Sequence, residues 1–267
     1  MQQTLAGQTI VVTRPQGQAQ GLCERIEALG GQALLFPVLG IAPAADDSEL
    51  AAVLPRLDSF DLAYFVSPNA VEHAFDYILP RRGWPIGLRV ATVGPGSARA
   101  LHERGFEQVI APAEGFDSEA VLALPEFSPQ AVRGRRVLVF RGDGGRPLLG
   151  DVLRERGAEV EFVTTYRRFL PTVDASALIA MAEQIAAVVL TSSEGVRNFA
   201  QLLGPDGLAA LRTTPVYVPH PRIAGFARDA GFGRVFETAP GDAGIVAGLL
   251  AGQASGLPPV ADNAKSF

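Results

Sequence analysis

Val160-Glu161-Phe162-Val163-Thr164-Thr165-Tyr166-Arg167-Arg168-Phe169-Leu170-Pro171 is dense in Val, Phe, Thr and Tyr, side chains that suit a pleated strand. A helix-like segment over 148–156 precedes it, and another helix and a fresh strand follow Pro171. The run therefore stands at a junction. It has a counterpart far upstream, Leu34-Leu35-Phe36-Pro37-Val38-Leu39-Gly40-Ile41-Ala42-Pro43, which also follows a helix and is also closed by a proline. The two runs read as cross-over strands between two lobes, with Tyr166 beside the cleft.

Outward from these runs the chain reads as alternating strands and helices. Thr9-Ile10-Val11-Val12-Thr13 is a β-branched strand, Arg14-Pro15-Gln16-Gly17 a turn, and 18–29 a helix with Leu22, Ile26 and Leu29 on one face and Gly30-Gly31 as its stop. A strand over 33–36 completes a βαβ opening, which favours a parallel sheet. Helices are expected over 48–57, 70–79 and 98–104, a short one over 118–124, and strands over 62–66, 89–93 and 108–110.

The pattern then restarts. Arg136-Val137-Leu138-Val139-Phe140-Arg141-Gly142 repeats Thr9 to Pro15, 149–157 repeats 22–30, 187–192 repeats 62–67, 196–203 repeats 71–79, and 215–218 repeats 89–92. Arg141 falls over Arg14, Ser192 over Ser67 and Gly231 over Gly105, at offsets of 127, 125 and 126 residues. One such match would be the self-similarity of any α/β chain. A near-constant offset through successive segments points to duplication of one unit. The division expected is 1–37 with 170–252 as one domain, 43–163 as the other, 38–42 and 164–169 as connector strands, and 253–267 as a mobile tail rich in Ala, Gly, Ser and Pro.

Composition narrows the function classes. The 267 residues are 48% hydrophobic and 19% charged, enough for packed cores. A net charge of −5 leaves no basic footprint for nucleic acid. One cysteine, Cys23, forbids a disulfide framework, and three histidines without ligand spacing give no metal site. No apolar run long enough for a membrane span and no export signal are present, so a soluble cytoplasmic protein is expected. Gly94-Pro95-Gly96 lacks the third glycine of a dinucleotide fingerprint, Arg141 to Gly145 is not a phosphate loop, and there is no nucleophile elbow and no carboxylate pair at strand ends. His73 and His102 fall within helices and read as structural.

What remains is a set of strand ends. Ligands of open parallel sheets bind beyond the carboxyl ends of the strands. Here those ends carry Thr13-Arg14, Ser67-Pro68-Asn69, Gly94-Pro95-Gly96-Ser97, Arg141-Gly142-Asp143, Thr191-Ser192-Ser193 and His220-Pro221-Arg222. Any one of them can be a helix cap or a turn. Together they line one face with helix N-termini and arginines, a surface that receives anions. Arg167 and Arg168 either solubilise a connector or add an anion contact.

Thr9 to Pro15, Phe65-Val66-Ser67-Pro68-Asn69-Ala70-Val71, Val93-Gly94-Pro95-Gly96-Ser97-Ala98, Thr164-Thr165-Tyr166 and Leu190-Thr191-Ser192-Ser193-Glu194-Gly195-Val196, in this order and spacing over roughly 8–250, resemble the uroporphyrinogen-III synthase family. The resemblance implies an α/β fold of two flavodoxin-like parallel-sheet domains joined by a two-stranded connector, with the active site in the interdomain cleft. It implies closure of the linear tetrapyrrole hydroxymethylbilane to uroporphyrinogen III, with loss of water and inversion of the last ring. It also implies no metal, no organic cofactor and a monomer. Carried over by position, Tyr166 is the catalytic candidate that assists loss of the hydroxyl. Ser67, Ser192 and Ser97 are strand-end hydroxyls, and Gly94, Ser193, Arg14, Arg141, Arg167 and Arg222 complete the substrate-binding set. Ile223 departs from the pattern, standing where the family often has a threonine. The competing readings are a two-lobed sensor that binds a small anion without converting it and, more remotely, a dinucleotide enzyme.

Overall fold

The computed structural model describes residues 4–115, 117–145 and 147–254. β1 (Thr9–Val12), α1 (Gln16–Ala28) and β2 (Gln32–Leu35) open the chain. There follow β3 (Gly40–Pro43), α2 (Ser48–Val53), β4 (Leu62–Phe65), α3 (Pro68–Ile78), β5 (Arg89–Thr92), α4 (Pro95–Glu103), β6 (Val109–Ile110), α5 (Ser118–Leu122), α6 (Pro129–Val132), β7 (Arg136–Gly142), α7 (Leu148–Glu155) and β8 (Glu159–Phe169). The chain closes on α8 (Ser176–Ala180), β9 (Ile185–Val189), α9 (Ser193–Ala210), β10 (Val216–Val218), α10 (Pro221–Asp229), β11 (Val235–Glu237) and α11 (Gly241–Ala254).

Two compact units result. One takes the described residues up to Gly40 and from Phe169 onward, the other Ile41–Arg168. The first holds a five-stranded sheet in the order β11-β10-β9-β1-β2, and every neighbouring pair is parallel. The second holds a six-stranded sheet in the order β3-β8-β7-β4-β5-β6, parallel from β8 through β6. With β7 set against β1, β8 against β2 and β4, β5, β6 against β9, β10, β11, the two orders coincide. The first is the flavodoxin-like order 2-1-3-4-5; the second, numbered along its own segment from β4, runs 3-2-1-4-5 and becomes the flavodoxin-like order when its two halves are exchanged, with the switch point between β1 and β9 in one unit and between β7 and β4 in the other.

Strand alternation explains why helices cover both faces. Val11 turns into the cluster with Phe199, Val216 and Val218, whereas Ile10 and Val12 turn the other way onto Leu22, Ile26 and Ile245. In the second sheet Ala63, Phe65, Leu138 and Phe140 face α3 through Ala70, Ala74 and Phe75. Leu62, Tyr64, Val137 and Val139 face Val121, Leu149 and Leu153 of α5 and α7. Each such Val, Leu, Ile or Phe side chain contributes about 1.5–3 kcal/mol by leaving water, so the sheets need their helices.

Four expectations change. The upstream run is two strands: Leu34 and Leu35 end β2 in the first sheet, and Gly40 to Pro43 form β3 in the second. Pro37, which has no N–H to donate, lies in the gap. The helix from Ser48 stops at Val53 and gives way to a 3-10 segment, Leu54–Ser59, with Pro55 in its first turn. The helix expected over 196–203 extends to Ala210, but across a break where Gly204 takes φ +62° before Pro205. Gln253 and Ala254 belong to α11, and the rest of the expected mobile tail, 255–267, lies outside the described residues.

Candidate active site

The strand ends of the second unit gather around Tyr166. Up to Val163 the strand β8 alternates, with Val160 and Phe162 on the α5/α7 face and Val163 on the α3 face. Unbroken alternation would send Tyr166 to the side of Phe162. Instead the pairing slips: Arg141 sits opposite Thr164, but Gly142 sits opposite Tyr166. Thr165 is the extra residue, a bulge that reverses the next side chain. Its Oγ1 donates to Arg141 O at 3.2 Å and its carbonyl accepts from Ala44 N at 3.2 Å. Tyr166 therefore lies with Val163 on the α3 side, 1% exposed.

Four neighbours define its seat. Ser67 Oγ donates to the phenol oxygen at 3.1 Å and also accepts from Ala70 N at 3.2 Å, capping α3. Arg168 Nη2 donates to the same phenol oxygen at 3.3 Å. The half-buried His73 ring stacks on the tyrosine, with centroids 6.0 Å apart. Gly142 supplies the space: a Cβ there would lie 2.6 Å from the ring. Asp143 closes the turn, its N–H donating to Tyr166 O at 2.9 Å and its Oδ1 accepting from Arg168 N at 2.9 Å. Arg168, His73, Gly142 and Asp143 were outside the substrate-binding set expected. The signal for Gly142 was its place at the end of β7. The bulge that makes it matter has no signature in the residues.

The remaining candidates of this unit have different surroundings. Arg141 lies 5.0 Å over the Phe162 ring and hydrogen-bonds to Gly142 O, Gly144 O and Gly145 O, so its guanidinium shapes its own glycine turn. Gly94 caps α4 with extended backbone, and Ser97, three residues on, is 2% exposed. Arg167 is exposed beside Tyr166. A cavity of about 640 Å³ shares His73 with the seat; its charged lining is three carboxylates, Asp46, Asp47 and Asp76, against the one guanidinium of Arg81. Its acidic lining does not suit a polycarboxylate.

The first unit carries the other half of the set. Ser192 caps α9, accepting from Gly195 N at 2.9 Å, as Ser67 caps α3. Ser193 Oγ is buried and has no hydrogen-bond partner among the described residues. Arg14 is held by Asp242 at the start of α11, Nη1 to Oδ1 2.6 Å. At the third turn His220 caps α10 where Gly94 caps α4: its Nδ1 accepts from Arg222 N at 3.0 Å, and the Arg222 side chain is exposed. Ile223, 6% exposed, packs with Val218 and Phe199. It matches Ser97 in its helix, since both are the third residue after the cap, and both are buried. The departure at 223 thus replaces one inward-facing side chain by another. Burial, more than the nearby Glu27, pushes the Cys23 thiol up. Among the described residues no group of three or more His, Cys, Asp or Glu is placed to hold a metal ion.

A family model described as uroporphyrinogen-III synthase HemD matches residues 20–247. The sequence is 34% identical over 198 residues to the uroporphyrinogen-III synthase of Escherichia coli, covering 73% of this chain and 80% of that one. It is 31% identical over 210 residues to that of Synechococcus elongatus, covering 77% and 78%. In structure it resembles a mutant uroporphyrinogen III synthase from Thermus thermophilus, with TM-score 0.61 at 16% identity and coverage of 93% and 99%. It also resembles the uroporphyrinogen-III synthetase of Helicobacter pylori, with TM-score 0.57 at 13% identity and coverage of 94% and 100%. At such identities the structural likeness speaks for the fold.

Proposed function

The chain belongs to the uroporphyrinogen-III synthase family, and on that premise we propose which of its residues close the linear tetrapyrrole. The reaction is the cyclisation of hydroxymethylbilane to uroporphyrinogen III in tetrapyrrole biosynthesis. Water is lost from the hydroxymethyl end, and the last ring is inverted before closure.

Loss of the hydroxyl leaves an azafulvene whose cation the pyrrole itself stabilises, so the substrate supplies much of the driving force. The protein must protonate the departing oxygen, hold the chain folded and direct attack to the substituted carbon of the last ring. The last two tasks are orientation, which the strand-end loops suit. We assign the first to Tyr166. The observation that carries this is the bulged seat, which turns a phenol into a cluster of hydrogen-bond donors at the carboxyl end of β8. At 1% exposure the phenol is enclosed, so the assignment requires the seat to open for substrate.

The eight substrate carboxylates need donors. Exposed Arg167 and Arg222, the N-termini of α3, α4, α9 and α10, and the hydroxyls of Ser192 and Ser193 are the groups we assign to them. Arg14 joins them only by exchanging Asp242 for a substrate carboxylate. Among the described residues no helix is long and apolar enough to cross a membrane. We carry forward as proposals a cytoplasmic monomer; sedimentation at working concentration checks the second term.

Incubation with enzymatically made bilane, followed by chromatographic separation of the isomers, tests the whole reading. The type III isomer is expected, and accumulation of type I alone would overturn it. Tyr166→Phe is expected to lower turnover by roughly 10 to 1000-fold, on the scale of general-acid contributions, with the circular-dichroism spectrum unchanged. Turnover near that of the native protein removes Tyr166 from the chemistry.

A further inference from the structure

We propose that Ser67 and Arg168 act together as positioning residues for Tyr166: they fill both acceptor sites of its oxygen, direct its proton outward to the leaving hydroxyl, and hold the phenolate that remains. This rests on the reading of Tyr166 as proton donor and assigns Arg168 to the phenol, not to a substrate carboxylate.

A phenol oxygen carries one proton and two lone pairs. Arg168 Nη2, which can only donate, points at it from 3.3 Å, and Ser67 Oγ donates from 3.1 Å. With both lone pairs engaged, the phenol proton has no part in the seat and is left for an outside acceptor. Neither donor is placed by chance. Ser67 Oγ is fixed by the Ala70 N–H at the start of α3, where the helix end favours negative charge on a nearby oxygen. Arg168 is fixed through its own N–H on Asp143 Oδ1, and the Asp143 N–H in turn holds the Tyr166 carbonyl. The one aspartate thus clamps the backbone on both sides of Arg167. The guanidinium carbon stands 5.8 Å over the tyrosine ring.

The step balances as follows. The phenol proton moves to the hydroxymethyl oxygen, the C–O bond breaks with its electron pair going to that oxygen, and water departs. The positive charge is left on the terminal pyrrole as an azafulvenium ion, and the negative charge on Tyr166 as phenolate. The ring-closing carbon later loses a proton as its pyrrole regains aromaticity, and the phenolate takes one up, restoring the enzyme. Hydrogen bonds to an ionised acceptor are roughly twice as strong as neutral ones. Both donors therefore bind the transition state more strongly than the resting phenol, which is the condition for raising kcat and not only affinity.

The test is a set of double-mutant cycles with hydroxymethylbilane as substrate and the type III isomer as readout. Arg168→Gln is expected to lower kcat by about 10 to 100-fold while KM changes by less than about 3-fold, and Arg168→Lys to recover part of that loss. In the Tyr166→Phe background, which removes the acceptor oxygen together with its proton, Arg168→Gln is expected to cost less than about 2-fold more. Ser67→Thr, which keeps the hydroxyl, is expected to retain part of the rate that Ser67→Ala loses. Ser67→Ala falls by about 10-fold and adds little in the Tyr166→Phe background. Equal losses in both backgrounds, or a raised KM with kcat retained, overturn the proposal and place Arg168 on the substrate. Native turnover in Tyr166→Phe overturns the underlying reading itself, which the single variant distinguishes.

Discussion

Position 142 shows how a residue with no functional group can decide whether a site forms. Tyr166 and Gly142 are partners across β7 and β8 only because Thr165 bulges out, and the ring then lies over a Cα that has no side chain. Gly142→Ala would place a methyl 2.6 Å from ring atoms of a residue that is 1% exposed. The ring, not the strand, has to give way. We expect a stability loss of about 1–3 kcal/mol, typical of an overfilled core, and a fall in kcat of about 10-fold or more as the phenol leaves its donors. Thermal unfolding and steady-state kinetics measure the two, and native kcat would show that the seat tolerates displacement. Much at this scale was hidden in the sequence. Tyr166 was marked by its place in a family-like run, but alternation along Val160 to Phe162 points it to the opposite face. Arg14 and Arg141 looked alike, each ending the first strand of a repeat. Nothing local discloses that one is held by Asp242, far along the chain, and the other by the carbonyls of its own turn.

Elements were read more readily than residues, because period and caps are local properties. Ser67 and Ser192 were legible as helix starts, and both caps form. Where the reading missed, a backbone effect intervened: Pro55 converts the end of α2 to a tighter helix, and Gly204 breaks α9 without ending it. Not legible at all was the tie at the base of the second sheet. Asp61 precedes β4, and its Oδ2 accepts from Arg136 N at 2.8 Å while Oδ1 takes Arg135 Nη1 at 2.7 Å. Its N–H reaches Arg136 O at 2.9 Å, so one residue pins the starts of two strands. Burial pushes its carboxyl up, but the Arg136 N–H and the Arg135 guanidinium outweigh burial and hold it below the ordinary 3.8. A carboxyl lowered in the folded state stabilises above its unfolded value, and that contribution is lost as pH falls through the folded value. Asp61→Asn is therefore expected to cost about 1.5–3 kcal/mol at neutral pH, as for a charged hydrogen bond. The gap from the native protein should close as pH drops below the ordinary 3.8. Denaturant titrations at several pH values measure this, and a gap that persists unchanged into acid would assign the loss to packing.

The molecule as a whole is one design used twice with its halves in opposite order. The first unit is made from β1-β2 and then β9-β10-β11; the second from β4-β5-β6 and then β7-β8. That is why a constant offset was visible while the second unit could still be a single uninterrupted segment. Its two packed clusters draw only on residues 41–168, with Phe65 stacked on Phe140 at 4.8 Å and on Phe75 at 5.3 Å. At roughly 130 residues it has the size of an ordinary domain. The flanking pieces of the first unit meet where they are interrupted, since a side chain at Gly40 would overlap the Phe169 ring. A fragment of residues 41–168 is therefore expected to fold alone, and a chain joining Gly40 directly to Phe169 to keep the five-stranded sheet. Trp84, the sole tryptophan, reports on the first of these. It packs on Phe75 at 4.9 Å and on Phe106 at 5.7 Å, inside the second unit. Its fluorescence should follow one cooperative denaturation curve in the fragment, with a slope set by the surface that unit exposes. In the full chain the same probe should give a similar slope, while circular dichroism also registers the first unit. A fragment whose tryptophan emits as in water would mean that the clusters within 41–168 are insufficient, and that the duplicated halves hold their shape only when the whole chain is present.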